Sequence, residues 1–257
     1  MYKAIITGAA IAFAVTTAPA FAADMPVKAP RIAAPVAPVW TGWNLGLSAG
    51  ARFADITGTT LSFGGGPPPF PALATQGYNS TTFRGGVYLG YDWQFAPKWL
   101  VGLEGDFAWG DAKAGVDALQ GTPPANVGNR SEVRQTWDAG LRARLGYLID
   151  PTLLLYVTGG VQWQHFEAYV NCAVATCGPG VVPIPGLPYS QTNGVTRTGW
   201  TIGGGIEKML PGKWLVRGEY RYADYGTWNT SFGGTPVIVK AYDLATHTAF
   251  LGIAKKF

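Results

Sequence analysis

What most constrains this chain is a recurring alternation of period two, with large apolar residues on one face and small or charged residues on the other. In 43–53, Trp43, Leu45, Leu47, Ala49, Ala51 and Phe53 alternate with Asn44, Gly46, Ser48, Gly50 and Arg52. Successive strand side chains point to opposite faces, so this pattern reads as a half-buried strand. It returns in 81–93, where Phe83, Val87, Leu89, Tyr91 and Trp93 oppose Arg84, Gly86, Tyr88, Gly90 and Asp92. The stretch WLVGLEGDFAW (99–109) places Glu104 and Asp106 together on the small, polar face. In 131–149, Val133, Trp137, Leu141, Leu145 and Tyr147 oppose Arg134, Asp138, Arg142 and Arg144. Further strands at about 153–166, 196–208, 214–224 and 241–257 bring the expected total to eight.

The connections alternate in length. Short turns carry proline at Pro97, Pro151 and Pro211, whereas the longer segments 54–80, 112–130, 167–195 and 225–240 are rich in Gly, Pro, Thr and Asn. Short turns at one end and long loops at the other mark an outer-membrane barrel. The expected fold is all-β: an eight-stranded antiparallel up-and-down transmembrane β-barrel with short periplasmic turns and long extracellular loops.

A soluble barrel hides its apolar face, whereas a membrane barrel turns it to lipid. Trp99 and Trp109 share one face of one strand, ten residues apart; at roughly 3.3 Å per residue and a tilt of roughly 40° they span about 25 Å, the height of a lipid-facing band. Trp93 and Trp214 sit beside short turns, and Trp137, Trp163 and Trp200 lie farther along their strands, giving two aromatic girdles. The polar faces carry Arg52, Arg84, Arg134, Arg142, Arg144, Arg217 and Arg221 against Asp92, Glu104, Asp106, Asp138, Glu207 and Glu219. An eight-stranded barrel is just wide enough for side chains to fill, and charges buried there must pair. Glu104 and Asp106 are thus expected to bridge to arginines of neighbouring strands, such as Arg142 and Arg144.

The N-terminus has Lys3, an apolar core from Ala4 to Val15 and the site Ala20-Phe21-Ala22, the layout of a secretory signal peptide over 1–22. A Pro/Ala-rich linker, with Pro26, Pro30, Pro35 and Pro38, is expected over 23–39 in the periplasm, followed by the barrel over 40–257. Cys172 and Cys177, the only two cysteines, fit one disulfide in an oxidising compartment; further Cys or His ligands for zinc are not nearby. The net charge of +4 is scattered, so a nucleic-acid partner is excluded. His165 and His247 are the only histidines, and no serine accompanies His165 in the strand pattern, so neither an enzyme nor a cofactor is expected.

WTGWNLGLSAG (40–50), VGLEGDFAWGD (101–111), RARLGYLIDPTLLLYVTGGVQW (142–163), GWTIGGGIEKML (199–210), VRGEYRYADYG (216–226) and HTAFLGIAKKF (247–257) resemble the small outer-membrane immunogenic proteins of alphaproteobacteria, porin-family barrels within the OmpA-like group. The resemblance implies an outer-membrane location among lipid and lipopolysaccharide. It also implies that Phe257 serves as the signal read by the barrel-assembly machinery, and that a host or environmental surface ligand is met through the loops. Lys255 departs from the family, which usually has an aromatic residue there. The resemblance ends with the barrel, so anchoring through a peptidoglycan-binding domain is not expected. The expected function is structural and surface-interacting, with exposed antigenic loops. The alternative is a small anion-favouring or gated pore through the charged lumen.

Overall fold

The computed structural model describes residues 39–63, 66–68, 74–117, 128–172, 189–233 and 237–257. The strands are β1 (Gly42–Phe63), β2 (Thr75–Gly77), β3 (Ser80–Ala96), β4 (Trp99–Val116), β5 (Arg130–Asp150), β6 (Leu153–Cys172), β7 (Tyr189–Leu210), β8 (Trp214–Phe232) and β9 (Ile238–Lys256). All pairings are antiparallel: β3 to β8 each pair with the next strand in the chain, β1 pairs with β3, and β1 closes the circuit with β9 from Asn44–Lys256 to Phe63–Ile238. Eight long strands therefore close on themselves, which removes the exposed sheet edges that an open sheet would carry into lipid.

The described residues hold nine strands, one more than the alternation gives. The extra one is β2. It pairs with Thr57, Gly58 and Thr59 of β1, continuing along β1 the edge that β3 leaves at Ala54–Ser80. Three polar residues give no readable alternation, so the sequence hides it.

The second difference is length. Segments read as loops are partly strand: β1 runs to Phe63, β6 to Cys172, β8 to Phe232, and β7 and β9 begin at Tyr189 and Ile238. The cause lies along β6. Its outward side reads Leu155, Val157, Val161 and Trp163, then turns polar with His165, Glu167 and Asn171. Its inward side reads Thr158, Gln162 and Gln164, then turns apolar with Phe166, Ala168 and Val170. The backbone alternation continues while the two faces exchange character at the height of the outer girdle, where lipid ends and water begins.

Two strands also shift their parity there. In β5 two residues, Thr136 and Trp137, between Gln135 and Asp138 oppose the single His165 of β6, a β-bulge. Val133 therefore turns inward and Arg134 outward, a correction to the faces inferred from alternation alone. In β8 the shift falls between Asp224 and Thr227, with Gly226 at φ 65°, and it turns Trp228 into the interior.

The interior has three layers. At the periplasmic end Trp40, Tyr88, Leu100, Leu148, Leu154, Tyr156, Met209, Leu215 and Ala254 form an apolar cluster. Trp40 is fully buried, and its indole N–H donates to the Pro151 carbonyl at 3.0 Å, which ties the chain entering β1 to the β5–β6 turn. At the outer end a larger apolar cluster includes Ile56, Tyr78, Val133, Phe166, Val170, Tyr225, Trp228, Phe232, Tyr242 and Leu244. The charged layer lies between them.

The seven tryptophans assigned to girdles all lie outside that interior, exposed or half-buried. Trp99 pairs with Tyr147 across β4–β5, their rings 5.0 Å apart, and ten residues on Trp109 pairs with Trp137. Cys177 lies outside the described residues, as do the signal peptide and the linker through Pro38.

Candidate functional site: the charged lumen

Strand register decides which charges can meet. Glu104 on β4 stands opposite Arg142 on β5, and Asp138 stands opposite Ala108 two positions farther out than Asp106. Arg142 Nη2 donates to Asp106 and lies 3.5 Å from Glu104; Arg144 reaches Glu104 only at 4.0 Å. The closest partners of Glu104 come from across the barrel. Arg217 of β8 grips both its oxygens, with Nη2 at 3.0 Å from Oε1, and Arg221 Nη2 donates to Oε1 at 3.3 Å. Asp106 collects three guanidinium groups: Arg142, Arg84 at 2.7 Å and Arg221 at 3.1 Å. The pair on β4 is thus the hub that ties β3, β5 and β8 together through the lumen.

Asp138 forms a second hub nearer the outer end. Arg52 donates to its Oδ2, Arg84 contributes 3.0 and 2.6 Å bonds, and the Gln162 amide donates to Oδ1 at 2.8 Å. Toward the periplasm, Asp92 receives Lys256 Nζ at 2.9 Å and Asn44 Nδ2 at 3.0 Å, while Arg144 donates to Glu207 at 3.3 Å. Glu219 receives Arg221 Nε and the Tyr156 hydroxyl, the latter at 2.6 Å. Arg217 also lies over the Tyr88 ring, 3.7 Å from its centroid, and Arg144 over Tyr156 at 4.2 Å. Stacking on a ring face compensates guanidinium charge where water is excluded.

Glycine makes the room. A Cβ on Gly140 would stand 2.8 Å from the Gln162 carbonyl oxygen and 2.9 Å from an Asp106 oxygen, and would strike the Arg142 guanidinium. One on Gly102 would meet Asp92 at 2.5 Å and Arg144 at 2.9 Å. The small residues of the polar face are therefore space reserved for long side chains from neighbouring strands.

Of the lumen residues inferred from sequence, Arg84, Glu104, Asp106, Asp138, Arg142, Arg144, Arg217, Glu219 and Arg221 all come together here, with Arg52, Asp92 and Glu207. Arg134 does not. The β5 bulge puts it on the outer wall, where it donates to Asp111 at 2.6 and 3.1 Å and to Glu167 at 3.3 Å. Lys256, whose inward parity the sequence already carries, takes its place in the lumen. The network then holds seven cations (Arg52, Arg84, Arg142, Arg144, Arg217, Arg221, Lys256) and six anions (Asp92, Glu104, Asp106, Asp138, Glu207, Glu219).

Both histidines sit on the outer wall. His247 Nδ1 lies 2.6 Å from the Tyr220 hydroxyl. His165 stacks on Trp137 with Nδ1 3.1 Å from the Thr196 hydroxyl and Nε2 3.7 Å from Glu167. This hydroxyl–imidazole–carboxylate order was invisible in the sequence because Thr196 belongs to another strand. It sits within the uninterrupted β6–β7 ladder, whose backbone N–H groups are committed to the sheet rather than to an oxyanion.

Residues 7–257 match the family model described as outer membrane protein beta-barrel domain. The chain belongs to that family. It is 30% identical over 263 residues to the 25 kDa outer-membrane immunogenic protein of Brucella abortus, covering 98% of this chain and 96% of that one. It is 29% identical over 237 residues to the 31 kDa outer-membrane immunogenic protein of Brucella melitensis, covering 89% of each. Among solved structures, the outer membrane protein OprG from Pseudomonas aeruginosa shares the fold, with a TM-score of 0.51 at 12% identity over 84% of this chain and 98% of that chain. This outer-membrane barrel thus turns its apolar belt, from Trp43 and Leu47 round to Leu251 and Ile253, toward the lipid and lipopolysaccharide of the outer membrane.

Proposed function

We propose that the barrel is a closed structural and surface-interaction protein, which stabilises the outer membrane and presents its outer strand ends, and the segments joining them, to the environment. The observation that supports this reading is the layering of the interior: an ion-pair network capped at each end by a tightly buried apolar cluster. Water and ions crossing the lumen would have to displace Trp40 and Leu100 at one end and Phe166, Trp228 and Tyr242 at the other. The single-charge excess of cations over carboxylates, supplied by Lys256, favours anions if such a path opens, which is the content of the pore reading. Salt bridges alone could rearrange; two apolar plugs make that rearrangement a partial unfolding.

In the same reading, residues 1–22 are removed on export, 23–39 lie in the periplasm and 40–257 form the barrel. The assembly machinery would read the last strand at Phe257, whose side chain is exposed and whose N–H donates to the Trp43 carbonyl at 2.9 Å. A Cys172–Cys177 bridge would stiffen the segment after β6, where a host or environmental ligand would be met.

Cells lacking the protein test the proposal. Greater sensitivity to an anionic detergent, with unchanged uptake of small anionic solutes, is the expected outcome. Uptake falling in parallel, restored by wild type but not by a variant with lumen substitutions that still assembles, would favour the pore.

A further inference from the structure

The outermost part of the charged layer contains a small cavity of about 10 Å³, room for about one water-sized occupant, lined by Arg52, Arg84, Asp138, Gln164 and Thr248 among others. Arg52 and Arg84 are both almost completely buried, and each has one terminal nitrogen, Nη1, with no hydrogen-bond partner. The two guanidinium groups meet at one carboxylate: Arg52 Nη2 and Arg84 Nε both donate to Asp138 Oδ2, while Arg84 Nη2 is shared between Asp138 and Asp106. Two guanidinium groups therefore flank one carboxylate and share one cavity, each with a donor left over.

An orphaned buried donor is costly, the more so when charged, so a folded barrel has reason to fill this space with an acceptor. The two glutamine carbonyl oxygens nearby are already engaged. Gln164 Oε1 receives the Tyr225 hydroxyl at 3.0 Å, and Gln162 Oε1 receives Arg142 at 3.1 Å. Arg221, which also lines the cavity, directs all three of its donor nitrogens at Glu219, Asp106 and Glu104 and needs nothing further. The wider network carries seven cations against six anions. Charges this deeply buried are stable only when compensated.

We infer that this cavity binds one small monovalent anion, chloride under most conditions, held between Arg52 and Arg84 and sealed from the outside by the apolar cluster above it. The anion accepts from both orphaned nitrogens and brings the network to neutrality. A water molecule would satisfy the geometry but not the charge. The site is a trapped counter-ion rather than a station on a conduction path, so it stands whether or not the lumen ever opens.

The test refolds the mature barrel from denaturant in bromide, because a sealed site exchanges slowly once closed. Crystals of that material should show an anomalous peak within hydrogen-bond distance of both Arg52 and Arg84. Bromide only at scattered surface positions, with an ordered water in the cavity, would overturn the inference. In solution, the heat-modifiable transition of the wild type should rise with chloride concentration as expected for a ligand of the folded state. It should rise less in gluconate at equal ionic strength. Arg52→Gln should lose the chloride-specific part of that shift. Identical curves in the two salts for wild type would also overturn it, and the wild-type measurements do not depend on any variant folding.

Discussion

The barrel is two structures stacked along one set of strands. Between the girdles the outside is apolar and the inside is charged; above the outer girdle the outside carries Asp111, Arg134 and Glu167 and the inside carries Phe166, Trp228 and Tyr242. One alternation serves both in β6, and bulges in β5 and β8 reset the parity at the boundary, so the difference follows the solvent outside. In lipid, the outward side chains lose nothing by being apolar and the interior is the only place for polar groups. In water the ordinary arrangement returns and the hydrophobic effect fills the centre. Stability should follow the same division: electrostatic compensation below, cavity-free packing above.

The largest effect is expected from the lower region. Asp106→Ala removes the carboxylate shared by Arg84, Arg142 and Arg221, and removing one member of a buried pair costs about 3–5 kcal/mol. Urea titration of the folded gel species should show this loss. A near-neutral result would mean that the lower interior is not held by charge. In the upper region, Phe166→Ala should cost about 3–5 kcal/mol as well, but locally. Hydrogen exchange should open the outer ends of β6 and β8 while amides near Val157 stay protected. Uniform acceleration would mean that the two regions unfold as one.

A matched pair of substitutions on the outward side of β6 sharpens where the regions meet. Val157→Arg puts a charge against lipid and should cost about 2–4 kcal/mol, whereas Asn171→Arg, with the same parity but in water, should stay within about 0.5 kcal/mol. Equal costs would place the lipid boundary elsewhere.

A pH-dependent effect is expected from Lys240, inside the upper region, where Nζ donates to Ser131 Oγ at 2.9 Å. Burial pushes its ammonium down to about 7. A lysine with a depressed folded value holds fewer protons than the unfolded chain between about pH 7 and its ordinary value of about 10.4. Stability should therefore rise with pH across that window and level off below it. Lys240→Met should flatten the slope, which protection of the outer strand ends against pH would reveal.

Within the lower region the sequence was legible because lipid and lumen impose opposite demands on adjacent residues. Strand positions, closure, girdles and most members of the ion-pair network all followed from one parity. Legibility stopped wherever parity or adjacency failed. Phe166 and Val170 share the inward face of Gln162, but their apolar character made that face read as ended. Arg134 was placed in the lumen because a single extra residue in β5 leaves no mark on composition. The grip of Arg217 and Arg221 on Glu104 crosses the barrel, and strand order alone lets one infer neighbours but not which long side chains meet across a lumen. Thr196 beside His165 was missed for a related reason, since register between β6 and β7 is fixed only once the barrel closes.

The claim on which the rest depends is that the lumen is sealed at both ends. Single-channel recording of the refolded mature barrel tests it most directly, with wild type beside Trp40→Ala and the double variant Trp40→Ala/Trp228→Ala, and folding checked by heat-modifiable mobility. Wild type should leave the bilayer silent, with steps appearing only when plugs are removed. Discrete, charge-selective steps from the wild type, altered by Glu104→Ala, would contradict it.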